Sequence, residues 1–477
     1  MKYLVKIILL IAISAYSKIP ITPELGRSGD FNSDHISGNF ILDFILSDKK
    51  PNELYVATGD GISIGDLSGD FKSINWLNKV IGYGGSSAFA LSYDHETLWM
   101  TTGRDSFVDD VGEFLATGTG VYRSDDYGRS WTRFEQPGLT PIQGITYDIA
   151  CDSLGGVWLA SYGQSIQKSD DNGETWHTLV PDGEPWKPTQ YLNHRVFAAH
   201  HSVGEKIWIG TAQGINVLDD YNTAEENYQW TNFKYPQLSG NFVTGISSRY
   251  YDDNEEIWAC SWIAESNSEE NGISYTLDNG MTWHKTLLGT KIYSIGFSGD
   301  KVFACGLDGM YMATSEDYDN FQEYDIRILD PLSNEIIYIE KTYTFIDKDG
   351  IWFVGTPYGI IASNDLGNNW HLYQGYNSVD ENNVKTYAFP NPYSSERYSQ
   401  MKFMFNLSEP SGVSLTVYNF AMEEVVRITK DKHFDSGDHY ISWNGKNANG
   451  KALANGAYFY KIEYDGKTEW NKFFIFE

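Results

Sequence analysis

The chain has 477 residues, with 35 lysines and arginines against 64 aspartates and glutamates, and a formal net charge of −29. This charge repels the phosphate backbone of nucleic acids, so we expect no nucleic-acid partner. The length exceeds one ordinary compact core, and 15% aromatic residues with 45 glycines favour β-structure rich in turns.

Residues 1–17 are typical of a secretory signal peptide. Lys2 and Lys6 flank the start, and an apolar run from Ile7 to Ile13 leads to small residues around Ala15. The alternative is a membrane anchor, but the run is far shorter than the roughly 20 residues of a span. We therefore predict export, with no transmembrane segment after signal cleavage. Three cysteines in an exported chain of this length indicate stabilisation by packing, with a single disulfide as the alternative.

A short strand with an aliphatic residue and then an aromatic residue recurs through the first three quarters of the chain. Its seven copies begin at Leu54, Leu98, Val157, Ile207, Ile257, Val302 and Ile351, with steps of 44 to 59 residues. Such a period, with four short strands in each unit, is typical of β-propeller blades. The fold class is therefore predicted as all-β, with a seven-bladed propeller over residues 31–373. Six or eight blades are the alternative counts.

A second repeat, Ser/Thr-x-Asp-x-Gly-x-x-Trp, predicts a tight turn between the third and fourth strands of a blade. The short polar side chains can bond the amides of the turn, and glycine supplies a positive φ. Four copies are intact, and their repeated residues are Ser124, Asp126, Gly128, Trp131, Ser169, Asp171, Gly173, Trp176, Thr276, Asp278, Gly280, Trp283, Ser363, Asp365, Gly367 and Trp370. We expect these residues to build the frame of the blades.

These repeats resemble the Asp-box (BNR) repeats of sialidases, sortilin-type receptors, xyloglucanases and the photosystem II assembly factor. The segment IWIGTAQGINVLDDYN, from Ile207, is also similar to blade motifs of periplasmic sensor propellers. The resemblance implies the propeller fold and a structural role for the Asp-box residues, whereas the fold alone specifies no activity. The chain lacks the Arg-Ile-Pro motif of sialidases and has few arginines, so sialidase activity is not expected.

The last quarter of the chain has a different character. Residues 374–387 are polar and predict a linker, and residues 388–477 contain about seven short strands that predict a small Ig-like sandwich. Pro390-Asn391-Pro392 and the stretch Trp443–Ile462 resemble the Ig-like domain of the flagellar hook-capping protein and the C-terminal sorting domain of type IX secretion cargo. The resemblance implies that this domain engages the secretion machinery or attaches the protein to the surface. A passive spacer is the alternative.

Three insertions, at residues 103–118, 180–195 and 261–271, are predicted to project from the face opposite the repeated turns. Aromatic side chains with carboxylates suit a sugar or peptide ligand, and the acids suit Ca²⁺ as the one candidate cofactor. The alternative is that these loops are only solvated. The candidate binding residues are Arg104, Asp105, Asp109, Trp186, Tyr191, His194, Arg195, Trp262 and Glu265.

The sequence thus predicts a secreted or outer-surface protein of a bacterium that binds a glycan or an extracellular protein through its insertions. No residue pattern identifies a catalytic centre, and a metal-ligand spacing, a phosphate loop and a nucleophile elbow are missing from the sequence. The alternative is an extracellular glycoside hydrolase, whose carboxylate pair cannot be read from spacing alone. A structural or adhesion component is the third hypothesis.

Overall fold

The computed structural model describes residues 29–80, 85–108, 113–138, 144–376, 379, 385–395 and 400–476. The predicted signal peptide (residues 1–17) and the candidate residue Asp109 lie outside them. The described residues form two compact units. The first runs to Ile326 and resumes at Tyr338–Gly375, and the second contains Arg327–Ile337 and the described residues from Tyr376 onward.

The first unit consists of seven antiparallel sheets in chain order. Blade 1 contains β1 (Gly29–Ser33), β2 (Ile41–Ser47), β3 (Lys50–Thr58), β4 (Gly61–Asp66) and β5 (Asn75–Val80), and blade 2 contains β6 (Gly85–Leu91), β7 (Leu98–Val108), β8 (Glu113–Ser124) and β9 (Thr132–Phe134). Blade 3 contains β10 (Thr146–Cys151), β11 (Val157–Ser161), β12 (Ser165–Ser169) and β13 (His177–Leu179), and blade 4 contains β14 (Val196–His201), β15 (Ile207–Thr211), β16 (Gly214–Leu218) and β17 (Trp230–Phe233).

The remaining blades follow the same plan. Blade 5 contains β18 (Phe242–Tyr251), β19 (Asn254–Trp262), β20 (Gly272–Thr276) and β21 (His284–Thr286), and blade 6 contains β22 (Ile292–Ser298), β23 (Lys301–Gly306), β24 (Gly309–Thr314) and β25 (Asp317–Tyr324). Blade 7 contains β28 (Thr344–Lys348), β29 (Ile351–Thr356), β30 (Gly359–Ser363) and β31 (His371–Tyr373). Short 3-10 helices cover Leu192–His194 and Glu225–Asn227.

The innermost strand of each blade contacts that of the next, and β28 of blade 7 returns to β2 of blade 1, so the sheets close into a ring. At the closure, Asn39 Nδ2 donates to the carbonyl oxygen of Gly375 at 2.9 Å, and Asn39 Oδ1 accepts the amide of Gly375 at 2.7 Å. Blade 1 takes its four inner strands in sequence, and β1 is added outside β5. The predicted seven-bladed propeller is confirmed.

The recurring aromatic residue of the second strand lies in the core of every blade. Each of these seven side chains has at most 2% of its surface exposed: Tyr55, Trp99, Trp158, Trp208, Trp258, Phe303 and Trp352. Cys260 and Cys305 follow two residues later in their strands and are buried as thiols, as is Cys151. The aliphatic–aromatic pattern therefore marks the strand that packs between neighbouring sheets.

The four repeated turns share one hydrogen-bond scheme between the Ser or Thr hydroxyl, the Asp carboxylate and the backbone, to which the tryptophan indole adds a bond in blades 2 and 3. In blade 3, Ser169 Oγ donates to Asp171 at 2.9 Å and accepts the amide of Gly173 at 2.9 Å. Asp171 also accepts the amide of Thr175 at 2.8 Å, and the indole of Trp176 donates to the carbonyl of Gly173 at 3.0 Å. The glycines of all four turns have φ between +81° and +88°. A few short side chains thus satisfy the backbone of the turn.

The C-terminal unit is a sandwich of two sheets. Its strands are β32 (Thr386–Phe389), β33 (Met401–Leu407), β34 (Ser411–Tyr418), β35 (Glu424–Phe434), β36 (Gly437–Trp443), β37 (Gly456–Tyr464) and β38 (Lys467–Ile475). The segment Arg327–Ile337 also belongs to this unit and forms a hairpin of β26 (Arg327–Asp330) and β27 (Glu335–Tyr338). The sheet orders are β32-β33-β36 and β35-β34-β37-β38. The predicted Ig-like sandwich is confirmed, whereas the hairpin between blades 6 and 7 was not foreseen and packs with this unit.

Candidate functional site

Most of the innermost strands have a β-bulge near their beginning. Six of the seven have this register shift, which places an extra residue between two paired ones. A bulge re-aims the side chain of the extra residue. Four of the bulged residues, Leu42, Tyr147, Phe197 and Tyr293, meet in one apolar cluster to which all seven blades contribute. The bulge therefore builds the centre of the ring.

Aromatic rings run around this centre from blade to blade. Their centroids lie 4.4 to 5.7 Å apart in neighbouring pairs. We call this set the aromatic belt; it comprises Phe40, Tyr147, Tyr162, Phe197, Phe242, Trp262, Tyr293 and Tyr343. Most contacts are tilted or edge-to-face, the geometry that favours pairs of aromatic rings. In blade 5 the belt residues Phe242 and Trp262 lie at the strand ends from which the insertion begins.

Trp262 was predicted as a flat platform for a ligand, and that prediction is wrong. Its side chain is 2% exposed, because β19 continues through it instead of ending at Cys260. Its indole nitrogen donates to the carbonyl of Ile292 at 2.9 Å, and its ring packs between Phe242 and Tyr293. Trp262 belongs to the belt and stabilises blades 5 and 6.

The connection from blade 3 to blade 4 is held by buried polar side chains. His194 is fully buried; one ring nitrogen lies 2.9 Å from Asp182, and the other accepts the amide of Lys187 at 2.9 Å. Arg195 is 4% exposed, and its Nε donates to the carbonyl of Pro188 at 2.7 Å. The candidate binding residues His194 and Arg195 are therefore buried, and both fix the loop that carries the half-buried side chains of Trp186 and Tyr191.

The insertion in blade 5 is organised by Glu269. Its buried carboxylate accepts the amides of Asn241 at 3.0 Å, Ala264 at 2.8 Å and Ser266 at 3.3 Å. A carboxylate used in this way is a scaffold for the loop. Glu265, in contrast, is exposed on the same loop.

The insertion in blade 2 is a continuation of the sheet. β7 and β8 stay paired as far as Val108 and Glu113, so the hairpin stands out from the blade. Arg104 is exposed and Asp105 half-buried on this extension, and Phe107 has 54% of its surface exposed. Antiparallel pairing therefore gives this projection a defined geometry.

Charges of all three insertions act on or near the belt. Burial raises the pKa of Tyr147, and the charges of Tyr162 and Asp105 add to this effect. Burial raises the pKa of Tyr162 to about 12, opposed by the nearby Arg195. Burial also lowers the pKa of Arg195, opposed by Tyr162 and Glu265. Asp105 thus acts on Tyr147, and Tyr162 and Glu265 act on Arg195, although these residues are distant in sequence.

Two lysines that the sequence analysis did not single out lie over belt rings. Lys291 Nζ is 4.8 Å from the ring centre of Trp262, and Lys341 Nζ is 5.7 Å from that of Tyr343. Burial lowers the pKa of Lys341. The belt also left a signal in the sequence, because Tyr147, Phe197 and Tyr293 each precede the aliphatic–aromatic strand by about ten residues.

The channel between the inner strands contains a cavity of about 170 Å³. Two carboxylates line it, and both bond the backbone: Asp43 accepts the amide of Phe44 at 2.8 Å, and Asp148 accepts those of Ile149 at 2.9 Å and Ala199 at 3.1 Å. These bonds hold the backbone of the inner strands, and the bond to Ala199 joins blade 3 to blade 4. In the described part of the chain, no three His, Cys, Asp or Glu side chains form a group that could hold a metal ion. Nor is any helix among those residues long and apolar enough to span a membrane.

Comparison with known proteins gives separate matches for the two units. The family model of the FlgD Ig-like domain matches residues 391–467. A xyloglucanase of Paenibacillus sp is 32% identical over 199 residues, which cover 35% of this chain and 18% of that enzyme. The chain thus spans less than a fifth of this curated relative.

Solved structures similar to the chain are propellers. The GH74 xyloglucanase from Xanthomonas campestris has a TM-score of 0.52 at 13% identity, covering 73% of this chain and 56% of that one. PorZ, a surface component of the type-IX secretion system of Porphyromonas gingivalis, has a TM-score of 0.42 at 15% identity, covering 92% and 66%. YCF48 from Cyanidioschyzon merolae has a TM-score of 0.44 at 15% identity, covering 70% and 98%. At this identity the xyloglucanase structure supports the fold alone.

Proposed function

We propose that this protein is an exported glycan-binding propeller whose C-terminal domain directs its secretion or its attachment to the cell surface. The ligand site is the loop-bearing face, at the connection from blade 3 to blade 4. The observation that carries the proposal is the pair of buried donors in this connection, Trp186 Nε1 and Arg195 Nη1, that have no partner among the described residues. Loops held on a rigid scaffold are a common place for ligand sites.

Buried donors on this face support a ligand rich in oxygen acceptors. Within the described residues, Trp186 Nε1 and Arg195 Nη1 are both buried without a hydrogen-bond partner. Both lie in the connection from blade 3 to blade 4, where Tyr191 adds a half-buried ring. Sugars combine hydroxyl oxygens with apolar ring faces, so they match such donors and rings.

Similarity to an enzyme that acts on xyloglucan supports a glycan over a protein as the ligand. The 32% identity extends over 199 residues. A protein of the extracellular space is the other ligand class that suits the face. The FlgD-type Ig-like match at residues 391–467 supports an addressing or anchoring role for the last domain.

The proposal is tested by titrating the full chain with xyloglucan oligosaccharides and other plant and bacterial glycans in a calorimeter. We expect Trp186→Ala to weaken binding at least about tenfold, because one aromatic contact and its donor are lost. Tyr250→Ala is the matched control, since this 61%-exposed tyrosine lies at the β18–β19 turn on the opposite face. Equal affinity of both variants would contradict the loop face as the site.

A glycoside hydrolase on the same scaffold is the second candidate, favoured by the same xyloglucanase similarity. It requires two carboxyl groups about 5–10 Å apart across the bound sugar. Incubation of the full chain with xyloglucan and measurement of new reducing ends distinguishes the two. Release of oligosaccharides would establish the hydrolase, and binding without release would establish the binding module.

A further inference from the structure

The hairpin at residues 327–337 covers an open sheet edge of the C-terminal domain. β36 is the last strand of the sheet β32-β33-β36, so alternate backbone groups on its outer side have no partner within the sheet. The amide of Tyr440, in the middle of β36, donates to the carbonyl of Leu332 at 3.1 Å. The tip of the hairpin therefore supplies a bond that a further strand would otherwise supply.

A buried carboxylate fixes this contact. Asp330 is fully buried and accepts the amide of Leu332 at 2.9 Å and the hydroxyl of Ser333 at 3.0 Å. The hydroxyl of Tyr440, a residue with 4% of its surface exposed, donates to the same carboxylate. A buried charge with three donors is costly to leave with fewer, so these groups favour a single docked arrangement.

His439 and Lys432 add to the contact made by Tyr440. The ring of His439, 6% exposed, lies with Nδ1 3.0 Å from the carbonyl oxygen of Leu332 and Nε2 2.9 Å from that of Asp435. Lys432 Nζ pairs with Glu335 at 2.7 Å. The eleven residues 327–337 thus contact the domain through one backbone hydrogen bond, the buried carboxylate of Asp330, the ring of His439 and one ion pair.

We infer that residues 327–337 are a component of the C-terminal domain and retain that domain after the chain is cut in the linker that follows Gly375. The segment is continuous with blade 6 at Ile326 and with blade 7 at Tyr338. A single cut after Gly375 therefore leaves the C-terminal fragment bound to a segment that stays covalently part of the propeller chain. Removal of the hairpin exposes the β36 edge and releases the fragment. This inference stands independently of the proposed glycan function.

The test uses the full chain with a site-specific protease sequence inserted after Gly375. After complete cleavage, we expect both fragments to elute together in size-exclusion chromatography at micromolar concentration. Tyr440→Phe removes one donor from the buried carboxylate and is expected to raise the dissociation constant of the fragments at least about tenfold. Tyr458→Phe is the matched control, because its hydroxyl bonds the carbonyl of Ala454 within the same domain at 2.9 Å.

A second variant replaces residues 327–337 by a short glycine–serine linker, after which the cut fragments should separate. Hydrogen exchange on the uncut chain provides a measurement that does not require the isolated fragment to fold. We expect the amide of Tyr440 to lose at least about tenfold protection in Tyr440→Phe and none in Tyr458→Phe. Separation of the fragments in the unmodified hairpin, or co-elution after its replacement, would overturn the inference.

Discussion

The carboxylates of the repeated turns show how single residues shape the propeller. Asp171 accepts hydrogen bonds from the hydroxyl and the amide of Thr175, which lower its pKa from 3.8 to about 2. Asp365 is held in the same way by Asn369, with its pKa lowered from 3.8 to about 2. Each of these carboxylates prefers the ionised form more strongly in the folded protein than in the unfolded chain.

These shifts predict a loss of stability in acid. A lowered folded-state pKa contributes stability that is fully present above the unfolded value, 3.8 for Asp, and is lost as pH falls through the folded value of about 2. We therefore expect the melting temperature, followed by circular dichroism, to fall between pH 4 and pH 2. The double variant Asp171→Asn and Asp365→Asn should show a smaller fall over this window. An identical pH profile for variant and parent would contradict the assignment.

At the scale of elements, the second strand of each blade carries the packing between sheets. In blade 5 the ring of Trp258 stacks on Tyr275 at 4.6 Å and meets Tyr318 edge-on at 5.0 Å. Its indole nitrogen donates to the buried Glu256 at 3.1 Å. Loss of this side chain removes the interface contacts and leaves a carboxylate with one donor fewer.

We expect Trp258→Ala to lower the free energy of unfolding by about 3–5 kcal/mol, the usual cost of deleting a buried tryptophan. Urea denaturation of the full chain measures the change. Met281→Ala is the control in the same blade, because Met281 is 81% exposed at the repeated turn and should change the free energy by less than about 0.5 kcal/mol. A similar effect of both substitutions would contradict the assigned core.

The elements that can be predicted from the sequence are those determined by residues close together in the chain. The aliphatic–aromatic strands and the Ser/Thr-x-Asp-x-Gly-x-x-Trp turns are each specified within about ten residues, and both are found where the pattern predicts them. The hairpin at residues 327–337 resembled a simple connection because its partners, His439 and Tyr440, lie about one hundred residues later. Long-range pairing of this kind leaves no periodic trace.

The candidate site was predicted only in part for the same reason. The positions of the three insertions follow from the blade plan, since antiparallel strands return each loop to a defined face. The burial of Trp262 depends on the neighbouring blade, and His194 and Arg195 are held by contacts across the connection from blade 3 to blade 4; a single unit of the repeat shows neither. Sequence spacing thus located the loops that carry the candidate residues, whereas contacts with neighbouring blades and within the loops decide which of their side chains are buried.

At the scale of the whole molecule, the ring depends on joining its first blade to its last. Asn39 precedes β2 and Gly375 follows β31, so these two residues are 336 positions apart in the sequence. Asn39 is 1% exposed, so water cannot replace its bonds at 2.9 Å and 2.7 Å to the backbone of Gly375. Thr344 Oγ1, 3.4 Å from Asp43, adds a side-chain contact between blades 7 and 1.

We expect Asn39→Ala to lower the free energy of unfolding by about 2–4 kcal/mol, because two buried backbone groups lose their partners. The loss should open the seam first, so hydrogen exchange should accelerate in β2 and β28 before it accelerates in β14 or β18 of the opposite blades. Asn267→Ala, at an exposed loop position, is the control for replacing asparagine by alanine. Uniform acceleration in all seven blades would show that the ring unfolds as one cooperative unit without a weak seam, and would refute closure by Asn39.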